Sequence, residues 1–350
     1  MSAESTVGVF TCLVGFVGLC TCGNLSSFLW VGVSGVCWLF ICVGFRKIIK
    51  SALACTYPVH RSGAIVISGC SSGIGKHAAL TLDSRGFTVY AGVRKEEDKE
   101  SLLKQRPTLR PILLDVTESK SVSEACAKIS KDLEAESLSL VGIVNNAGVS
   151  PGLPVEYSPI EEVKATFDVN LFGIYRLTQT FLPLLRQTKG RIIMISSPSG
   201  RIGRPLKSVY TATKAGVEGM SQSLRIELYP FKIAVICIVP GYIQSKFASK
   251  QTGDKLPFKT LDDNQKKLYQ HVFASFLSVF AKSHSLGASP QVTSEAIYKA
   301  LTEPKPELIY PVAGVGRMSV ASLLWLLWAL PLEATDTWLR KRYVVTASSK

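Results

Sequence analysis

Histidine is scarce in this chain, with four among 350 residues, and His60, His77, His271 and His284 do not cluster. The nine cysteines show no paired zinc spacing: Cys12, Cys20, Cys22, Cys37 and Cys42 lie in one apolar run, and Cys55, Cys70, Cys126 and Cys237 are scattered. No metal centre is therefore expected. The usage is that of reduced cytosolic thiols rather than a disulfide framework. Charged residues make up only 19% against 47% hydrophobic, which excludes a long disordered protein. No internal repeat is visible. Positive charge is plentiful: 40 Lys and Arg against 26 Asp and Glu give a net +14, which favours anionic partners. No basic helix or aromatic-basic motif accompanies that charge, so nucleic acid is not expected among them.

Charge is absent altogether from Ser5 to Phe45, 41 consecutive positions. A helix crossing the ~30 Å hydrocarbon core needs ~20 residues, so one span does not use the whole run. Gly23, Asn24, Ser26 and Ser27 interrupt it. Two readings stand: a hairpin of two short spans, Val7–Cys22 and Phe28–Phe45, or a single anchor from about Phe28. A cleaved signal peptide needs a basic start, and Glu4 is the only charge before the run. Arg46, Lys47 and Lys50 follow and hold the remaining chain in the cytosol by the positive-inside rule. The mean hydropathy of +0.23 agrees with a membrane-bound protein, and the endoplasmic reticulum is the expected organelle. Near the other end, Met318–Leu332 is uncharged and rich in Leu and Trp. It reads as a helix dipping into the cytosolic leaflet, as a cover over the mouth of a lipophilic pocket, or as an ordinary buried helix.

Between these ends apolar runs alternate with amphipathic ones. Ala64–Ser68, Phe87–Val93, Pro111–Asp115, Leu140–Asn145, Arg191–Ile195 and Ile233–Val239 read as strands. Gly73–Arg85, Ser121–Ala135, Ile160–Leu185 and Tyr210–Leu228 read as helices. Strands apolar throughout imply a parallel sheet covered on both faces. The expected architecture is an α/β, Rossmann-like doubly wound sheet in a single domain over 62–311, with an anchor over 1–50 and an apolar extension over 312–350. Residues 241–290 are the least regular, with a helix expected from about Asp262 to Ala281 and a substrate lid in this stretch. Leu256, Phe258, Phe273, Phe276, Leu277 and Phe280 would either line a lipophilic pocket or pack that lid on the core.

After the first strand comes Ser68-Gly69-Cys70-Ser71-Ser72-Gly73-Ile74-Gly75. Glycines at this turn let backbone approach a pyrophosphate, and the following helix aims free N–H groups at it. No Walker lysine followed by Ser or Thr is present. The second strand ends in Val93-Arg94-Lys95. No carboxylate is there to bind a ribose 2′-hydroxyl, and Arg94 is suited to clamp a 2′-phosphate, so NADP(H) is favoured over NAD(H). Arg94 also reads as a solvated cation or as a stacking partner for adenine. Asp115 would accept from an adenine amine or cap a helix.

Tyr210 and Lys214 stand at i and i+4, on one face of a helix. A phenol of pKa ~10 is a poor base at neutral pH, and a neighbouring cation is expected to lower it. Tyr210 would then exchange a proton with an alcohol–ketone pair. Ser197, thirteen residues earlier, would bond the same oxygen, and Asn170, mid-helix, would hold a water against Lys214.

These residues together resemble the short-chain dehydrogenase/reductase family. Ser68-Gly69-x-x-x-Gly73-x-Gly75 is similar to its cofactor loop, Asp115-Val116 to its adenine contact, and Asn145-Asn146-Ala147-Gly148 to the end of its fourth strand. Asn170, Ser197, Tyr210 and Lys214 match its tetrad in order and spacing. Pro240 to Ser245, with Ile243, is similar to its nicotinamide-side loop. Serine replaces the usual threonine at 68 and 245, which keeps a hydroxyl. The resemblance runs from about 62 to 311 and is nearest to membrane-associated members acting on retinoids and steroids, such as the retinol dehydrogenases and type 2 17β-hydroxysteroid dehydrogenase. It implies a nicotinamide cofactor on Gly69, Ser71, Ser72, Gly73, Ile74, Gly75, Arg94, Asp115, Val116, Asn146, Tyr210, Lys214, Ile243 and Ser245. It implies hydride transfer, with Tyr210 as acid/base and Lys214 on the nicotinamide ribose. It also implies pairing into a homodimer through the helices at 160–185 and 210–228. The expected substrate is a lipophilic alcohol, ketone or aldehyde. A 3-ketosphingoid-type reductase of lipid synthesis and a non-catalytic cofactor-binding scaffold are the alternatives.

Overall fold

The computed structural model describes residues 44–45, 48–245 and 260–343. The chain divides into two units at Cys55/Thr56. Within the first, residues 44–45 and 48–53 are helical. The one or two spans expected over 5–45 lie outside the described residues, apart from 44 and 45. Among the described residues no helix is long and apolar enough to cross a membrane.

Seven strands of the second unit form one parallel sheet: β1 (Gly63–Ile67), β2 (Phe87–Val93), β3 (Arg110–Leu113), β4 (Leu140–Asn145), β5 (Arg191–Ile195), β6 (Ala234–Pro240) and β7 (Ile309–Val312). Their order is β3-β2-β1-β4-β5-β6-β7, so the winding reverses between β1 and β4. Every residue of β4, β5 and β6 is buried, as a sheet covered on both faces requires. Ile67 pairs with Val144, Val144 with Ile193, and Ile193 with Ile236. That register brings Ser68, Asn146 and Ser197 to one edge, at the carboxyl ends of their strands.

Helices α1 (Gly73–Ser84), α2 (Glu96–Gln105), α3 (Ser119–Ala135), α4 (Ile160–Phe167), α5 (Gly173–Thr188) and α6 (Ser208–Glu227) connect these strands in turn. One face of the sheet is covered by α3, α5 and α6. Val122, Ala125, Ile129 and Leu133, and Ile174, Leu177, Phe181 and Leu185, supply two apolar stripes at helical spacing. The other face is covered by α1 and, before β7, by α8 (Pro290–Thr302), through Ala78, Leu82, Ile297 and Leu301. The single helix expected over 160–185 is interrupted by a π turn at Asp168–Phe172, a local widening that often marks a functional site. The sequence reading also passed over α2, α8 and β7.

Above the carboxyl edge stands α7 (Asp263–Ser285), opened by a capping box in which Asp262 Oδ1 accepts from the Gln265 N–H at 2.9 Å. After β7 come a two-stranded hairpin, β8 (Gly314–Val315) and β9 (Met318–Ser319), then α9 (Val320–Ala329) and α10 (Leu332–Tyr343). A third apolar cluster joins Phe273, Phe276 and Phe280 of α7 to Tyr343 of α10 and to Leu153 and Leu206.

Candidate active site

The carboxyl ends of the strands open on one cavity. Gly69, Ser71, Ser72, Gly73 and Ile74 line it, as do Arg94, Asp115, Val116, Asn146, Ser197, Tyr210, Lys214, Ile243 and Ser245. Gly75 and the fully buried Asn170 lie behind its wall.

The floor at the β1 end is made of closely approaching backbone. Gly69 has φ +73°, and a side chain there would meet the Ala147 Cα at 2.9 Å; one on Gly75 would collide with Asn146 Nδ2 and the Gly69 carbonyl. Ser68 Oγ accepts from the N–H groups of Asn146 and Ala147, both at 3.1 Å. Asn146 Nδ2 in turn donates to the carbonyls of Ser68 and Gly69 at 2.9 and 3.1 Å. The loops after β1 and β4 are thus locked to each other. Helix α1 begins at this floor with no side-chain cap and no acidic residue in its first turn. Its free N–H groups and positive end suit a pyrophosphate, so the residues present fit a dinucleotide. At the far end Arg94 and Lys95 line the cavity, as does Asp98. Asp115 Oδ1 accepts from Thr117 N and Thr117 Oγ1 at 3.0 and 2.7 Å, a local turn rather than a helix cap.

Ser197, Tyr210 and Lys214 come together as the sequence spacing implied. Ser197 Oγ accepts from the Ser199 N–H at 3.2 Å and hydrogen-bonds Tyr210. Glu218 steadies this turn, accepting from Ser196 Oγ at 3.0 Å and pairing with Arg201 Nε at 2.6 Å. Burial raises the Tyr210 phenol above its ordinary value, while the Ser197 hydrogen bond and the Arg204 charge pull it down. Lys214 Nζ lies 5.8 Å from the Tyr210 ring centroid and donates to the Ile195 carbonyl at 2.8 Å. Burial lowers this ammonium to about 8. The Asn170 amide is also engaged elsewhere. Oδ1 accepts from Val149 N at 2.8 Å, and Nδ2 donates to Val149 O at 2.9 Å and to Thr213 Oγ1 at 3.1 Å. The side chain ties the loop after β4 to the π turn and to α6.

The same cavity is lined by Ser199, Ile202, Arg204 and Tyr242 and, from the later segments, by Phe280, Leu323, Trp338 and Tyr343. The C-terminal extension thus contributes Leu323, Trp338 and Tyr343 to the cavity wall. Of the apolar lid residues named from sequence, Phe280 lines the cavity; Phe273, Phe276 and Leu277 pack the lid on the core, and Leu256 and Phe258 lie outside the described residues. Arg204 and Tyr343 were missed. The signal for Arg204 was its place between Ser197 and Tyr210, in Gly203-Arg204-Pro205.

Residues 63–256 match the family model described as short chain dehydrogenase. The chain belongs to the short-chain dehydrogenase family. Among its relatives is the mitochondrial D-beta-hydroxybutyrate dehydrogenase of Mus musculus, 34% identical over 262 residues that cover 71% of this chain and 76% of the relative. The NADPH-dependent 3-dehydrocapnine reductase of Ornithobacterium rhinotracheale is 32% identical, covering 71% and 87%. Retinol dehydrogenase 16 of Homo sapiens is 35% identical, covering 64% and 70%. The fold is shared with a crystal structure of a short chain dehydrogenase from Burkholderia cenocepacia J2315 in complex with NADP, at TM-score 0.61 and 23% identity, over 80% of this chain and 98% of that one. This short-chain dehydrogenase is an NAD(P)-dependent oxidoreductase acting on CH–OH groups.

Proposed function

We propose that the protein is an NADP(H)-preferring enzyme that interconverts an alcohol and a ketone or aldehyde on a lipophilic substrate, with Tyr210 as acid/base. The observation that carries the reading is the continuity of one cavity from the α1 N-terminus, past Tyr210, to an apolar wall of Phe280, Leu323, Trp338 and Tyr343. A nicotinamide held on the α1 N-terminus would supply the hydride chemistry at the substrate carbon. Tyr210 gives or takes the proton at the substrate oxygen. Ser197 bonds that oxygen and the phenol, so the proton is held on a short path. Lys214, which donates to the Ile195 carbonyl, would hold the nicotinamide ribose with its remaining N–H donors. Asn170 is a positioning residue that fixes the Val149 loop beside Thr213.

Arg94 carries the cofactor preference. It is exposed at the end of β2, where a 2′-phosphate would be accepted and no carboxylate at the turn itself repels one. The relatives' names span hydroxybutyrate, retinol and 3-dehydrocapnine; the apolar wall favours the longer molecules. The exposed side chains of Trp325, Trp328 and Leu332 suit a membrane surface beside the mouth, from which such a substrate is collected. The endoplasmic reticulum as its site, and a homodimer paired through α4–α6, belong to the same proposal.

The test is turnover of purified full-length protein with NADPH and with NADH against retinoid, steroid and long-chain carbonyls. Turnover with a higher kcat/KM for NADPH is expected. Inertness with both cofactors across this panel and toward long-chain hydroxy acids and their esters would refute the reading.

A further inference from the structure

We propose that the substrate of this site carries an anionic group of the carboxylate type and that Arg204 receives it. The proposal deepens the oxidoreductase reading and rests on it. Arg204 reaches into the cavity from the segment between Ser197 and Tyr210. Its Nη2 donates to Ser199 Oγ and its Nη1 to Tyr242 Oη, both at 2.9 Å. Both partners are neutral hydroxyls on the cavity wall. A guanidinium carries five donors in a planar fork, so this one is oriented by the protein and keeps donors for a ligand.

A half-buried cation is normally paired, and Arg204 forms no ion pair among the described residues. The acids nearby are committed elsewhere: Glu218 to Arg201 and Ser196, and Glu156 to the Tyr269 hydroxyl at 2.9 Å. The two acids on the described cavity wall, Asp98 and Asp115, follow β2 and β3 at the cofactor end. Two further basic side chains stand near Arg204. Arg342 lines the wall from α10, its guanidinium 5.6 Å above the Trp338 ring. Lys207 is buried three residues before Tyr210 and donates to Ser150 O and Ser150 Oγ at 3.2 Å and to Pro151 O at 3.0 Å. Two cations, Arg204 and Arg342, thus share this end of the wall with no described carboxylate opposite them. Such a field concentrates an anion, and a fork-shaped guanidinium binds a carboxylate in two places.

The remaining wall, Ile202, Phe280, Leu323, Trp338 and Leu339, is apolar and takes an aliphatic body. The ligand that satisfies both parts is an amphiphilic hydroxy or oxo acid, its head on Arg204 and its chain along α10. A neutral retinoid or steroid would bury Arg204 without a counter-charge.

The experiment compares 3-, 6- and 10-hydroxydodecanoate with their methyl esters, using full-length protein and both oxidised cofactors. At least one acid is expected to exceed its ester in kcat/KM by tenfold or more. In Arg204→Gln that preference falls by roughly ten- to a hundredfold, mainly through KM, and Arg204→Lys retains part of it. A merely structural role would lower acid and ester alike. Should Arg204→Gln fail to fold, dodecanoate is tested as an inhibitor of wild-type turnover of a neutral carbonyl, and it is expected to inhibit at least tenfold more strongly than dodecanol. Esters used as well as acids, an acid preference untouched by Arg204→Gln, or equal inhibition by dodecanoate and dodecanol would each overturn the proposal. In those outcomes the enzyme still turns over, and the oxidoreductase reading stands. Inertness toward acids, esters and the neutral panel together would bring down both.

Discussion

At the cofactor end the cavity is made of backbone. Glycines at 69 and 75, the bare first turn of α1 and the Ser68–Asn146 lock are set by a few adjacent residues, each within a turn or two of a strand end. At the substrate end it is made of side chains from distant segments: Arg204 after β5, Tyr242 after β6, Phe280 on α7, Trp338 and Tyr343 on α10. One end is a fixed shape that admits one kind of ligand. The other is a wall whose chemistry changes with each side chain. Substitutions on the two sides should therefore fail in different ways.

The largest effect is expected at Gly75. Gly75→Val puts a side chain into Asn146 and the Gly69 carbonyl, and overpacking of this kind costs about 1–3 kcal/mol where the surroundings yield. Backbone does not yield readily, so cofactor affinity measured by fluorescence titration should fall by about a hundredfold or more; unchanged affinity would break the account of the floor. Arg94→Glu places a carboxylate where a 2′-phosphate is expected. The NADPH to NADH ratio of kcat/KM should fall by roughly ten- to a hundredfold, the worth of a charge-assisted hydrogen bond, and an unmoved ratio would remove Arg94 from cofactor choice. Ser68→Ala leaves the Asn146 and Ala147 N–H groups without their acceptor and should cost about 1–3 kcal/mol in denaturant unfolding, whereas Ser68→Thr should cost little.

The smallest effect lies on the substrate side, at Lys207. Burial first, and then the Arg204 charge, brings its ammonium down to about 7, against about 10.4 unfolded. Between those values the folded chain binds fewer protons than the unfolded one, so this group makes stability rise with pH, and its full penalty is felt below pH 7. Lys207→Met lacks this term. Its Tm relative to wild type should be highest at pH 6 and fall by a few degrees by pH 9, with cofactor affinity unchanged throughout. A difference in Tm that stays flat with pH would contradict the burial argument.

The same contrast explains what the sequence made legible. The parallel sheet announced itself in β4, β5 and β6 because a strand buried on both faces has no polar alternation. Helix α2 was passed over because its ten residues, EEDKESLLKQ, bury only Leu102 and present no apolar stripe. Helix α8 carried a readable start in Ser289 and Pro290, but Ala296 and Ala300 weaken its stripe. The π turn had no sequence signature at all. At the site, residues held by local turns were readable from spacing: Gly69, Gly73, Ser197, Tyr210 and Lys214. The bonds from Lys214 to the Ile195 carbonyl and from Val149 to Asn170 were not, because those partners come from other elements. Arg204 and Trp338 lie 134 residues apart, and only the folded chain brings them to one wall.

The central claim is that Tyr210 moves the proton while the rest of the cavity holds the reactants. The direct measurement is deuterium transfer from 4-deuterated NADPH to the best carbonyl of the panel, at saturating cofactor, in wild type and Tyr210→Phe. The account predicts a rate lower by about 10²–10⁴ in the variant, the range for a general acid–base group, with cofactor affinity within about threefold of wild type. Transfer by Tyr210→Phe at the wild-type rate would contradict it.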